Sequence, residues 1–166
     1  MSTQQAAARI PSFPALEGRS LLGEPVALPA GLPAERTLVL VAFQRWQQPV
    51  VDGWLSRAVA GGVPSTPHGA PRPMPVAVVE LAVLSIGWKP ARRFIEGGMV
   101  ASSRDPEVLA RTITVFTDVS AFRRRLQIPS TEEVHALVVD RGGAVLARAR
   151  GEVDAETWAA VAVALK

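Results

Sequence analysis

Leu38-Val39-Leu40-Val41-Ala42-Phe43 is an unbroken apolar run. A strand with one wet face alternates apolar and polar residues, so this run predicts a strand covered on both faces, as in the middle of a parallel sheet. Beyond a Gln/Trp segment, Val51, Trp54, Leu55 and Ala58 recur at i, i+3, i+4 and i+7. That spacing predicts a helix with one apolar stripe, and Pro49 suits its first turn. Val76 to Leu81 and Ile113 to Thr117 predict two further strands. Between them, Trp88, Phe94, Ile95 and Met99 populate a helix opened by Pro90 and loosened by Gly97-Gly98, and Asp105-Pro106-Glu107 starts a short second one.

Asp118 or Ser120 is placed to cap a helix that carries Phe122, Leu126 and Arg123-Arg124-Arg125 before Pro129 stops it. Val134 to Val139, a turn at Asp140-Arg141-Gly142-Gly143, and Ala144 to Ala149 predict an antiparallel hairpin. Asp154 then caps a last helix with Trp158, Val161, Ala162 and Leu165 on one stripe. The predicted order, β-α-β-α-(α)-β-α-β-β-α, gives an α/β class with three α/β/α layers, a mixed central sheet and a C-terminal antiparallel hairpin plus helix. Phe13 to Pro29, divided by Gly18, Gly23 and Pro25, predicts an irregular arm ending in a short strand or hairpin. Residues 1–12 are expected to be a flexible start. Gly61 to Pro75, with five prolines and three glycines, is expected to be a mobile surface loop within one domain spanning 13–166.

Composition narrows the classes. The 166 residues suffice for one core that buries roughly 70% of the unfolded chain's surface without disulfides or a structural metal. No apolar run approaches the roughly 18 residues of a membrane span, and Met1 to Ile10 lacks the basic and apolar regions of a secretory signal, so a soluble, cytoplasmic protein is expected. The net charge is +3, carried by 16 arginines and two lysines. Arg92-Arg93 and Arg123-Arg124-Arg125 read as solvated helix faces; with few aromatics for base stacking, no nucleic-acid partner is expected. The chain has no cysteine, which excludes thiol exchange and thiol peroxidase chemistry, since both need a thiolate.

Trp46-Gln47-Gln48-Pro49-Val50, placed between the first apolar strand and its helix, resembles the Trp-Cys-x-Pro-Cys segment of the thioredoxin-like superfamily with both sulfur positions replaced. Phe13-Pro14, Gly18 and Leu22-Gly23 resemble the arm that precedes this fold in peroxiredoxin-like relatives. Within the superfamily the chain is most similar in pattern to the thioredoxin-like assembly factors of the mitochondrial ATP synthase. That likeness rests on Val76-x-Val78-Val79-Glu80-Leu81, Phe116-Thr117-Asp118, Arg123-x-x-Leu126-x-Ile128-Pro129, Leu137-Val138-Val139-Asp140 and Gly151. It implies a thioredoxin-like fold, a chaperone-like role in assembly and a protein partner. By the same resemblance, Ala42 stands where a buried acid assists proton transfer, and Val134 where a cis-proline faces the thiols. Gln47, Val50, Ala42 and Val134 together imply a redox-inactive site.

Other chemistry has little support in the residues. His68 and His135 are too few to build a metal site without cysteine, and neither a Gly-x-Ser-x-Gly elbow nor a phosphate-binding glycine motif occurs, so no metal and no cofactor are expected. Trp46 is either an anchor for a partner or local packing of its loop; Gln47 and Gln48 either bond an extended peptide or stand as exposed amides. The function expected is a non-catalytic binding or assembly module that uses Arg45, Trp46, Gln47, Gln48, Pro49 and the entrance at Val134-His135 for a protein or peptide, with self-association as a further role. The rival expectation is an enzyme with a non-thiol acid/base mechanism drawing on Asp52, Asp118 or His135 in the same cleft.

Overall fold

The computed structural model describes residues 11–64, 74–102 and 105–166. Most of the expected flexible start (1–12) and of the Pro/Gly-rich loop (61–75), His68 included, therefore lies outside the described residues. The chain runs through β1 (Leu16–Ser20), β2 (Pro25–Leu28), β3 (Ala34–Ala42), α1 (Gln48–Ala60), β4 (Met74–Ser85), α2 (Arg92–Ser102), α3 (Pro106–Arg111), β5 (Thr112–Thr117), α4 (Val119–Leu126), β6 (His135–Asp140), β7 (Val145–Arg150) and α5 (Ala155–Ala162). The strands form one sheet ordered β2-β1-β5-β4-β3-β6-β7. β3, β4 and β5 are parallel, while β1, β6 and β7 pair antiparallel with their neighbours, so the sheet is mixed as the pattern predicts.

β3 lies inside the sheet, between β4 and β6, which is why its apolar residues run on without alternation. Leu38 and Leu40, with Val78, Ala136 and Val138, pack under α1 and α5 through Trp54, Leu55, Ala58, Trp158 and Val161. On the opposite face Val39, Val41, Val79, Leu81, Val115, Leu137 and Val139 pack against Phe122 and Leu126 of α4 and against Phe13 of the arm. Each Val or Leu so buried contributes about 1.5–3 kcal/mol, and the two-sided burial fixes the three layers.

The arm is a β1–β2 hairpin preceded by an isolated bridge between Ser12 and Ala144. Phe13 donates its N–H to the Gly143 carbonyl, and Val145 donates to the Pro11 carbonyl, so the arm is stitched to the β6–β7 turn. Gly143 adopts φ +92 in that turn, a conformation a β-carbon resists. Gly18 is required by proximity instead: a β-carbon there would lie 2.6 Å from Ile113 Cγ2 on β5.

Two expectations need correction. β4 is longer than the predicted Val76 to Leu81, running from Met74 to Ser85. Trp88 lies in a 3-10 turn (Ile86–Ala91) ahead of α2, and Trp88 and Phe94 point to solvent, 61% and 87% exposed, instead of packing inward. The inward face of α2 is mixed, with Ile95 and Met99 partly buried beside Arg92 and Glu96. Glu96 accepts hydrogen bonds from Arg92 and from the buried Thr114 hydroxyl at 2.7 and 2.6 Å, and the Arg92 guanidinium lies over the Phe116 ring.

Candidate functional site

β3 ends at Ala42, and the chain turns through Phe43 and Gln44 into a 3-10 turn (Arg45–Gln47) that runs straight into α1, with Pro49 in the first turn of the helix. This is the leading tip of the helix that follows β3. Gln47 is the pivot and is 1% exposed. Its Oε1 accepts hydrogen bonds from the Phe43 N–H at 2.8 Å and the Gln44 N–H at 3.2 Å, while its Nε2 donates to the Thr131 carbonyl at 2.8 Å. One side chain thus ties the end of β3 to the segment that enters β6. The expected contact between Gln47 and a peptide is corrected accordingly: the amide is buried and occupied by the chain's own backbone.

The neighbours of Gln47 have other fates. Arg45, Trp46, Gln48 and Pro49 are exposed, and Trp46 reaches 59% exposure, so it stands clear of the loop instead of packing into it. Val50 packs partly against the α1 core, and Ala42 lines a cavity beside it. Val134 is buried and accepts a hydrogen bond from the Gly151 N–H at 2.9 Å, just ahead of β6.

His135, expected at an accessible entrance, is 2% exposed and cannot meet a partner there. Val134, Ala136 and Val138 face α1 and α5, so His135 alternates to the other face, paired in register with Val41 on one side and Arg150 on the other. Its Nε2 is buried without a hydrogen-bond partner. Burial, and then the positive charge of Arg148, hold its pKa down to about 4 against the pull of Glu133. The imidazole is therefore neutral near pH 7.

The three residues proposed for acid/base work are not brought together. Asp52 lies on α1 and borders the cavity on that side of the sheet, whereas His135 is on the α4 side. Asp118 is engaged in capping α4, its carboxylate accepting from the Ala121 N–H at 3.0 Å. Among the described residues no group of three or more His, Cys, Asp or Glu side chains could hold a metal ion.

Sequence reasoning missed one buried acid. Glu80, on β4 opposite Leu40, is 7% exposed and accepts hydrogen bonds from Gln48 Nε2 and from the Thr112 hydroxyl, both at 2.9 Å. The same Gln48 nitrogen donates to Asp52 at 2.9 Å. The available signal was a single acid inside the otherwise apolar run Val76 to Leu84.

No protein-family model matches the chain, and no curated protein matches it in sequence. Solved structures do match. The pneumococcal exposed lipoprotein thioredoxin Etrx1 of Streptococcus pneumoniae strain TIGR4 superposes with a TM-score of 0.56 at 10% identity, covering 92% of this chain and 98% of that one. The fold is thioredoxin-like. A thioredoxin-family thiol:disulfide interchange protein of Chlorobium tepidum TLS gives 0.51 at 15% identity over 97% of this chain and 100% of the other. BsSco, of the Sco family of cytochrome c oxidase assembly proteins, gives 0.52 at 11% identity over 86% and 85%. In this thioredoxin-like chain the helix tip carries no sulfur, and no helix of the described residues is long and apolar enough to cross a membrane.

Proposed function

We propose that this chain is a non-catalytic thioredoxin-like binding or assembly module, without thiol redox chemistry, that engages a protein or peptide through the exposed turn Arg45 to Pro49. The observation that carries the reading is the division of labour at the helix tip. Gln47 fills one former sulfur position as a buried brace, while Trp46 beside it projects into solvent. A large exposed aromatic is costly to leave in water and suits a partly buried contact with a partner. β3 and β4 are parallel, so Ile86 and Trp88, also exposed in the turn after β4, lie at the same carboxyl-terminal edge of the sheet as Trp46. Ligand sites of open α/β sheets lie at that edge. BsSco shows that a thioredoxin-like scaffold occurs among assembly proteins, and the sequence resemblance to ATP synthase assembly factors points the same way.

Affinity capture with wild-type bait and with Trp46→Ala, using Leu146→Ala on the exposed side of β7 as a surface control, tests it. Partners retained by wild type and the control but lost by Trp46→Ala are the expected result. An identical partner set for all three baits would remove the surface from consideration, and insulin reduction above background would overturn the redox-inactive reading.

A further inference from the structure

We infer that the turn after β4 and the outward side of α2, residues 86–101, form a contact surface for a bilayer that carries anionic lipids. This goes beyond the protein contact at Trp46 and does not rest on it. Among the described residues nine large apolar side chains are exposed, and four of them, Ile86, Trp88, Phe94 and Val100, fall in this one segment. Exposed apolar residues scattered singly need no explanation, but a cluster marks a surface that something covers.

The outer side of α2 lacks the charges that solvent favours. Arg92 and Glu96 are paired and partly buried on the inward side, whereas Phe94, Gly97, Gly98 and Ala101 face solvent with no charge among them. Packing demands neither glycine, since a β-carbon at either would meet nothing within 4 Å, and glycine weakens a helix interior. The open face therefore continues along the helix from the turn that carries Ile86 and Trp88.

Charge decides what covers it. The exposed ionisable residues of the segment are Lys89 and Arg93, four positions apart and both cationic; its one acid, Glu96, is bonded inward to Arg92 and Thr114. Asp118, one residue past Thr117, the register partner of Ser85, gives its carboxylate to the Ala121 N–H of α4. Cations beside exposed Trp, Phe and aliphatic side chains complement an anionic membrane interface, where the rings settle at headgroup level and the charges meet lipid phosphates.

A second copy of the chain fits less well. A two-fold contact would set Lys89 and Arg93 against the same cations, with no exposed acid in the segment to meet them. A protein groove must supply a hollow for each protruding side chain, Phe94 at 87% and Trp88 at 61% exposure, whereas a fluid interface yields around both.

Flotation of the full chain with vesicles of phosphatidylcholine and phosphatidylglycerol in equal parts tests the surface, against vesicles of phosphatidylcholine alone. Association with the anionic vesicles, weakened by added salt, is expected. Trp88→Ser combined with Phe94→Ser should lower partitioning about tenfold or more, and Lys89→Gln combined with Arg93→Gln by about tenfold. Leu146→Ser, outside the segment, should leave it unchanged. All five positions are exposed, and urea titration checks that each variant is folded; should one double variant unfold, the other carries the test. No association with anionic vesicles, equal association with neutral ones, or undiminished association in a folded double variant overturns the inference. So does an equal loss in Leu146→Ser, or self-association that ignores vesicles and disappears in the Trp88→Ser, Phe94→Ser protein.

Discussion

Replacing Gln47 by alanine removes three hydrogen bonds at once and leaves the half-buried Phe43 and Gln44 N–H groups and the Thr131 carbonyl without their partner. Each such bond contributes about 0.5–1.5 kcal/mol net, and buried groups left unsatisfied cost more than the bond itself contributes. The loss is therefore about 3 kcal/mol, which for a chain of this size lowers Tm by about 6–12 °C. With a urea m-value of about 2 kcal/mol/M, the denaturation midpoint falls by about 1.5 M at unchanged slope. Far-ultraviolet circular dichroism during urea titration measures it. Gln47→Glu sharpens the test: it keeps oxygens to accept from the two N–H groups but sets an acceptor against the Thr131 carbonyl, so it too is destabilising. Gln47→Cys loses the same bonds, so restoring the sulfur weakens the chain. A Gln47→Ala midpoint within about 0.5 kcal/mol of wild type, the range of ordinary surface changes, would refute the bracing role.

The depressed pKa of His135 makes stability fall with acid. Both folded and unfolded chains carry a neutral imidazole above about 6.5; between there and about 4 the unfolded chain takes up a proton that the folded one resists, at a cost approaching about 3 kcal/mol. His135→Leu should flatten that limb in urea titrations at pH 7, 5.5 and 4.5, and parallel curves for the two proteins would contradict it. Asp118→Ala removes the cap of α4 and should cost about 1 kcal/mol by thermal melting. Gly143→Ala puts a β-carbon at φ +92 and 3.1 Å from Pro29 Cγ, a loss of about 1–2 kcal/mol that would loosen the arm and speed amide exchange at Phe13. Trp46→Ala should leave the melting curve within about 0.5 kcal/mol of wild type, because its side chain is exposed.

Much of this protein was already decided along the chain. The helix starts at Asp105, Asp118 and Asp154 are seen as written, each carboxylate accepting from an N–H two or three residues on, because capping is settled within one turn. The two-sided burial of β3 and the β6–β7 hairpin were legible for a related reason: continuous or alternating apolar runs and a glycine turn report which faces meet the core. The absence of a thiol needed no structure at all.

The tertiary structure decided the remainder, through contacts between distant segments. Gln47 and Thr131 stand 84 positions apart, so nothing near residue 47 shows that its amide is a brace and not a free peptide contact. His135 goes to the α4 face because β6 pairs with β3 in one register, and a shift of a single residue would reverse it. Trp88 and Phe94 share their apolar character with core residues, yet Arg92, Ile95, Glu96 and Met99 take the inward side of α2, with Glu96 bonded to Arg92 and Thr114, and leave Phe94 in solvent, while Trp88 stays exposed in the turn ahead of the helix. Glu80 acquires its place beside Gln48 and Asp52 only when α1 is laid across β4. Local pattern determines which elements form and which faces are apolar, whereas the partner of each buried polar group is set by the packing of whole elements, where a single unsatisfied group costs as much as several local preferences together.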